Sequence, residues 1–435
     1  MNKKRLRVLL IAELCDPNLV SVPLVAWSHS QALRKVADVH IVTQIRHRKS
    51  FLDAGLIEGK DFTVINTEHV FKYINYLRKL LIKEGTGWTT GMALQLPAYL
   101  EFERLVWKQF KDKLKANEFD IVHRLTPLSP TLPSFIAKRC NKINIPFIWG
   151  PIAGGLPWPK AYDQERKKER EWLAPMRDLY KYLPYYKSSR QSASALVIAS
   201  QATLEQVPMS YRDKCIYLPE NAIDPLRFND VKTSFYQAGE KLKLVFVGRL
   251  VPYKCVDVVL HACKKLVLEG KVCIDILGDG PERETLEKLS YSLGLSDGVT
   301  FHGNVKHQSV QTILKSNDVL IFPSIREFGG GVVLEAMALG VVPMVVNYGG
   351  PAELVNCKTG VRIDLAPKNE LALAFESALE SLLAEPEKIE VMGRESITYV
   401  NKCFTWDAKA KMMQCVYEWV LNKQLAKPDF GCPLQ

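Results

Sequence analysis

The stretch Val319-Leu320-Ile321-Phe322-Pro323-Ser324-Ile325-Arg326-Glu327-Phe328-Gly329-Gly330-Gly331-Val332-Val333-Leu334-Glu335-Ala336-Met337-Ala338-Leu339-Gly340 sets an apolar run, a glycine-rich turn and a helix-like segment end to end. The first four residues read as a buried parallel strand, and Val332 to Leu339 reads as a helix. The three glycines therefore fall where a strand hands over to a helix. With no side chains there, a ligand's phosphates can approach backbone N–H groups and the positive end of the helix dipole. Glu327 stands on the turn and Glu335 within the first two helical turns, so both can face one ligand from different distances. Glycine-rich strand-to-helix turns also serve purely structural ends, and Glu335 equally suits the first half of any helix. On its own the stretch fits both readings.

Outward from this stretch, strands and helices alternate in two series. In the first half, Arg7 to Ala12, Val39 to Thr43, Phe62 to Asn66, Ile121 to His123, Phe147 to Gly150 and Ala195 to Ala199 read as short buried strands. The pattern restarts at Lys243 to Val247 and continues through Cys273 to Leu277, Val299 to His302, Val319 to Phe322 and Val342 to Asn347, with helices between. Two βα series predict two Rossmann-like, doubly wound α/β domains. The boundaries predicted are residues 1–225 for an acceptor-side domain and 226–400 for a second domain. Residues 401–435 would form a helix crossing back to the first. Ligands of such sheets gather at the carboxyl ends of the strands, so a central cleft faced by both domains is the expected site.

Composition narrows the class. The chain has 435 residues, 47% hydrophobic and 24% charged, enough for two buried cores. No apolar run approaches the roughly 18 residues of a spanning helix, and the start of the chain predicts no signal peptide. Ten cysteines lie scattered without metal-ligand or disulfide spacing, which fits reduced thiols in a cytoplasmic protein and no metal site. The net charge of +11 is uneven: Met1 to Pro225 holds 34 Lys+Arg against 22 Asp+Glu, and the remainder holds 24 against 25. Basic surface attracts nucleic acid, anionic lipid or phosphorylated ligands. One basic helix-like stretch runs from His69 to Lys83 and can lie on a membrane surface or simply pack on its own domain. A second, Lys160 to Arg190, mixes basic residues with Trp172, Tyr180, Tyr182, Tyr185 and Tyr186 but carries no nucleic-acid motif. A lipid-linked or phosphorylated acceptor ranks above nucleic acid, which is not expected as a partner; the acceptor could be a sugar, a lipid-linked group or a small molecule, with an anionic membrane surface as a further candidate partner.

The strand ends of the second series collect useful chemistry. Val247-Gly248-Arg249-Leu250-Val251-Pro252-Tyr253-Lys254 places an arginine just past a strand and a lysine five residues on. Two such cations can clamp a diphosphate and stabilise the charge it gains on leaving. Gly278-Asp279-Gly280-Pro281 and Gly349-Gly350-Pro351-Ala352-Glu353 read as further strand-end turns.

Gly248-Arg249 with Lys254, Gly278-Asp279-Gly280-Pro281, Phe301-His302-Gly303, Pro323-Ser324, Glu327 with Glu335-Ala336-Met337-Ala338, and Gly349-Gly350 with Glu353 together resemble the nucleotide-sugar domain of retaining GT-B glycosyltransferases of family 4 (glycosyl transferases group 1). The resemblance spans about Leu242 to Val361 in consistent order. It implies a GT-B fold and transfer of a sugar, with retention, from a nucleotide-diphosphate donor to an acceptor hydroxyl. Arg249 and Lys254 would bind the diphosphate, Glu327 would face the transferred sugar and Glu335 the ribose. Gly303, Asn304 and Val305 would flank the base, and Phe328, Gly329, Gly330, Gly331 and Val332 would approach sugar and phosphates. No metal or other cofactor is implied.

The departures are equally specific. The family commonly has Glu-Gly-Phe-Gly where this chain has Glu327-Phe328-Gly329-Gly330, and a glycine often follows the family lysine where Cys255 stands. The Gly-Gly usual near the first strand is missing from Glu13-Leu14-Cys15-Asp16-Pro17-Asn18. Asp120-Ile121-Val122-His123 resembles the family strand that ends in an active-site histidine, so His123 is expected at the reaction centre; a strand-end histidine is otherwise often structural. Trp27 and His29 are weaker candidates. The resulting expectation is a cytoplasmic hexosyltransferase-type enzyme of polysaccharide, glycolipid or other glycoconjugate biosynthesis, with association at the cytoplasmic face of a membrane as an option. The alternative is a nucleotide-sugar-binding regulator or scaffold without transfer activity.

Overall fold

The computed structural model describes residues 5–72, 74, 88–169 and 179–431. Most of the basic stretch His69 to Lys83, and residues 170–178 of the second, lie outside them. Among the described residues no helix is long and apolar enough to cross a membrane. The chain divides into two compact units. The first draws on Met1–Gly155, Arg170–Glu220 and Trp406–Gly431, and the second on Leu156–Glu169 and Asn221–Thr405. The segment Leu156–Glu169, inside the span expected for the N-terminal domain, thus groups with the second unit.

The first unit is built on a seven-stranded parallel sheet of β1 (Arg7–Ala12), β2 (Asp38–Gln44), β3 (Phe62–Ile65), β4 (Ile121–Thr126), β5 (Phe147–Ile152), β6 (Ala195–Ile198) and β7 (Cys215–Tyr217), ordered β3-β2-β1-β4-β5-β6-β7. Strand side chains alternate between faces, and here both faces are apolar. Val8, Leu10, Ile148 and Val197 face a core closed by the helices Val22–Val36 and Trp406–Leu421. Their neighbours Leu9, Ile11, Phe147, Trp149 and Leu196 face a second core with Phe102, Val106 and Phe110 of the helix Trp88–Lys115. This two-sided burial explains why the strands read as continuous apolar runs.

The second unit holds β8 (Leu242–Val247), β9 (Val272–Leu277), β10 (Val299–Gly303), β11 (Val319–Phe322), β12 (Val342–Val346) and β13 (Val361–Ile363), all parallel and ordered β10-β9-β8-β11-β12-β13. The chain builds outward from β8 to β10, then returns to β11 on the other side of β8. That reversal opens a crevice at the carboxyl ends of β8 and β11, where loops leave in opposite directions.

Two histidines of the first unit lie in its core. His123 on β4 is fully buried, its Nε2 2.7 Å from the Gly150 carbonyl oxygen and its Nδ1 2.7 Å from Tyr417 Oη on the helix Trp406–Leu421. A carbonyl only accepts, so Nε2 carries the proton, and Nδ1 accepts from the tyrosine. Burial pushes the His123 pKa down to about 4. Both ring nitrogens are engaged inside the protein, so this geometry makes His123 a residue that braces β5 at Gly150 rather than the sugar-touching group implied by resemblance. His29 is also buried, beside Trp406, and burial together with nearby His123 and Lys409 lowers its pKa to about 3. Neither of its ring nitrogens has a hydrogen-bond partner.

Both rings are neutral when folded and would take up a proton near the ordinary histidine value once unfolded. Their contribution to stability is complete above about pH 6.5 and is lost as pH falls towards 4 and 3, at up to about 1.4 kcal/mol per pH unit for each. Urea denaturation at pH 7 and pH 5 should show a lower midpoint in acid, and His29→Leu should shrink the difference; an unchanged difference would contradict the assignment. In the second unit, a Cβ on Gly278 would lie 1.9 Å from the Gly248 carbonyl oxygen, at φ +133°. Gly278→Ala should cost at least about 2 kcal/mol of stability, read by the same method.

Candidate functional site

The candidate site is assembled from the loops at the carboxyl ends of the second unit's strands, joined by main-chain hydrogen bonds. Gly248 N–H donates to Leu277 O and Gly278 N–H to Gly303 O, at 2.9 and 2.8 Å, which ties the loops after β8, β9 and β10 into one layer. Across the crevice, Ile325 N–H donates to Tyr253 O and Gly350 N–H to Glu327 O, both at 3.0 Å. The loops after β8, β11 and β12 are thereby held together as well. Gly350 is required there because a Cβ would sit 1.9 Å from the Phe328 carbonyl oxygen.

Lys254 ends the short 3₁₀ turn Pro252–Lys254 and is 7% exposed. Its Nζ forms an ion pair with Glu327 Oε2 and stands 4.4 Å from the centroid of the Phe322 ring. A cation this buried needs compensating charge, and Glu327 supplies it while keeping part of its carboxylate open. Cys255, at the position where the family resemblance leads to an expected glycine, takes the left-handed conformation (φ +49°, ψ +42°). A non-glycine residue there costs about 1 kcal/mol of strain. The turn keeps the glycine geometry without the glycine. Arg249 stands exposed on the loop five residues earlier.

Gly330 caps the helix Gly331–Leu339 in the left-handed region (φ +64°), and Gly340 ends it in the same way (φ +84°). Between them the helix is apolar and largely buried except for Glu335, its only ionisable side chain, which is half-buried. Gly331 and Val332 form its partly exposed first turn. Gly248, Arg249, Lys254, Gly303, Asn304, Val305, Glu327 to Val332 and Glu335 therefore lie on strand ends, loops and a helix start of one unit, whose loops adjoin through main-chain contacts. His123 belongs to the first unit's core.

Sequence reasoning missed two groups. At the carboxyl end of the first unit's sheet, Asp16 Oδ2 accepts from His47 Nδ1 and Ser50 Oγ, both at 2.9 Å. Burial opposes its ionisation, but those bonds and the Asn18 N–H outweigh it and lower the Asp16 pKa. Glu13 accepts from Gln44 Nε2 at 3.2 Å, and burial raises its pKa. Neither cluster has a recognisable spacing, because its members come from separate strand ends. The second group is Leu156 to Trp158, against the Glu327 loop; only the alternating prolines Pro157 and Pro159 hinted at a stiff segment.

Residues 230–398 match the family described as glycosyl transferases group 1. The chain is 32% identical over 186 residues to a GDP-mannose-dependent alpha-(1-6)-phosphatidylinositol monomannoside mannosyltransferase of Mycobacterium tuberculosis, covering 40% of this chain and 47% of that one. It is 31% identical over 215 residues to an uncharacterized glycosyltransferase of Methanocaldococcus jannaschii, covering 47% and 53%. The chain thus spans about half the length of these curated relatives. Among solved structures, a glycosyltransferase from Rickettsia africae superposes with a TM-score of 0.63 at 14% identity, covering 97% of this chain and all of that one. Anabaena HepE in complex with UDP superposes at 0.61 and 13%, covering 95% and 100%. At such identities the likeness is one of fold. Residues 230–398, within the second unit, are thus similar to the glycosyl transferases group 1 family.

Proposed function

We propose that this protein is a retaining glycosyltransferase whose second unit binds a nucleotide-diphosphate sugar and which passes the sugar to an acceptor hydroxyl. The observation that carries the reading is the Lys254–Glu327 pair, set at the switch point of a doubly wound sheet beside Arg249 and the first turn of the helix Gly331–Leu339. Anions favour that helix end and those cations, whereas a carboxylate repels a diphosphate and accepts from sugar hydroxyls. Glu327 therefore faces the sugar, Arg249 and Lys254 the diphosphate, and Glu335 the ribose, with residues 303–305 beside the base. Lys254, held by Glu327 in the free protein, is shared with the phosphates when donor binds.

In the reaction the bond from the anomeric carbon to the diphosphate oxygen breaks, and the acceptor oxygen attacks from the same face. The departing phosphate oxygen takes the acceptor proton. Arg249, Lys254 and the helix N–H groups stabilise the charge that accumulates on the diphosphate. No step requires a metal ion. HepE was crystallised with UDP and the mycobacterial relative is named for GDP-mannose and a phosphatidylinositol mannoside. These names support a nucleotide-sugar donor and a lipid-linked acceptor in glycoconjugate synthesis. The excess of basic residues before residue 226 suits work at an anionic, cytoplasmic membrane face.

Thermal melting with UDP-glucose and GDP-mannose, followed by release of nucleotide diphosphate, tests the proposal. One donor should raise the melting temperature and be hydrolysed slowly. Arg249→Ala and Lys254→Ala should each weaken donor binding about ten- to hundredfold, the worth of one charge-assisted hydrogen bond. Glu327→Gln should abolish transfer and spare affinity for the nucleotide diphosphate. Stabilisation without any hydrolysis would instead favour a non-catalytic binder, a reading that the glycine-free Glu13–Asn18 loop supports. Full activity of Lys254→Ala and Glu327→Gln would refute the site.

A further inference from the structure

The segment Leu156–Glu169 follows β5 in sequence yet is built into the second unit, and its first three residues touch the loops after β8, β11 and β12. The guanidinium of Arg326 lies 4.9 Å from the Trp158 ring centroid, and the Tyr253 ring meets that indole edge-on at 6.4 Å. Arg326 directly precedes Glu327, and Tyr253 directly precedes Lys254. One indole therefore bridges the two residues whose successors form the ion pair. Next to it, the Pro157 carbonyl oxygen accepts from Tyr348 Oη at 2.8 Å. Leu156 is buried against Gly349, where a Cβ would fall 2.8 Å from Leu156 Cδ2 and 2.6 Å from the Glu327 carbonyl oxygen.

The other end of the segment is anchored independently. Tyr162 is buried in the second unit's core and donates to the Ala366 carbonyl oxygen at 2.6 Å. Glu165 pairs with Lys368 at 2.8 Å, and Lys368 with Asp257 at 2.6 Å. Between these anchors the chain reads Leu156-Pro157-Trp158-Pro159, where each proline fixes its own φ and confines the residue before it to extended conformations. A stiff segment fixed at both ends can hold a ring in place with little entropic cost.

We propose that Leu156–Trp158 is a strap that positions the sugar side of the donor site, with Trp158 holding the Lys254 and Glu327 loops at the separation that a donor sugar requires. The inference rests on the donor-binding reading above, and it separates sugar from nucleotide. The indole and leucine contact the loops carrying Glu327 and Gly349, whereas the base side is built from the loops after β9 and β10.

The experiment is calorimetric titration of wild type, Trp158→Ala and Trp158→Phe with UDP-glucose and UDP, and with GDP-mannose and GDP, alongside ligand-free melting temperatures. For whichever pair wild type binds, Trp158→Ala should lose about tenfold in affinity for the nucleotide sugar and no more than about twofold for the bare nucleotide. Trp158→Phe, which keeps a ring against Arg326 and Tyr253, should recover most of the loss. Equal losses for sugar and bare nucleotide would mark a merely structural tryptophan and overturn the proposal, as would no loss in Trp158→Ala. Wild type binding neither pair would remove the donor-binding reading and this inference with it. If Trp158→Ala does not fold, Trp158→Phe and Leu156→Ala carry the same comparison: a weaker nucleotide sugar at constant nucleotide affinity in Leu156→Ala supports the strap, and an unchanged ratio overturns it.

Discussion

Main chain lies directly on main chain at the carboxyl ends of the second unit's strands, and the candidate site depends on that close approach. Gly278 passes over the Gly248 carbonyl, Gly350 over Phe328 and Gly349 over Glu327, at separations where a Cβ would sit 1.9 to 2.6 Å from an oxygen. No ordinary side chain fits at those points. Because the loops are this near, a lysine that follows β8 reaches a glutamate that follows β11. The glycines thus act through packing first, and their availability to a phosphate group follows from the same open backbone.

The Lys254–Glu327 pair shows how such a site is kept ready without ligand. Burying an ammonium alone is costly, and a partner that is only partly buried lowers the cost while leaving room for exchange. With side-chain exposures of 9% for Lys254 and 27% for Glu327, the carboxylate is the half of the pair that solvent and a sugar hydroxyl can reach. Arg249, exposed on its loop, adds charge at no such desolvation cost. One cation is pre-positioned and the other is free to adjust, a division suited to a ligand whose charge grows during reaction.

What the sequence made legible was governed by local pattern. The strands from Leu242 to Val346 and the helix after Gly330 are visible because apolar runs and glycine stops are local signals. The edge strands β7 and β13, three residues each, are too short to show a period. Among the candidate site residues, Arg249, Lys254, Glu327 and Glu335 stood out by local pattern, whereas Gly303, Asn304 and Val305 entered only through the family resemblance. His123 could not be placed by either: its environment is set by Tyr417, 294 residues away, and by the Gly150 carbonyl, neither of which a motif reveals. The allegiance of Leu156–Glu169 was hidden for the same reason, since Trp158, Tyr162 and Glu165 find partners only in the folded second unit. Cys255 shows the converse, a backbone conformation kept although the residue that usually signals it is absent.

The loop after β1 completes the electrostatic argument. Where the family resemblance leads to an expected Gly-Gly pair, this chain fixes Glu13–Asn18 through its own bonds: Leu14 N–H donates to Thr126 Oγ1, Asp16 N–H to Pro23 O and Asn18 N–H to Asp16 Oδ1. Those N–H groups are already used, and Glu13 and Asp16 place carboxyl groups beside them. A loop with three of its N–H groups engaged and carboxyl groups at hand is a poor receptor for a diphosphate. In the proposed reaction the phosphate charge therefore falls to Arg249, Lys254 and the helix Gly331–Leu339, all in the second unit. That concentration makes the separation of the Lys254 and Glu327 loops, and whatever fixes it, the controlling dimension of the site.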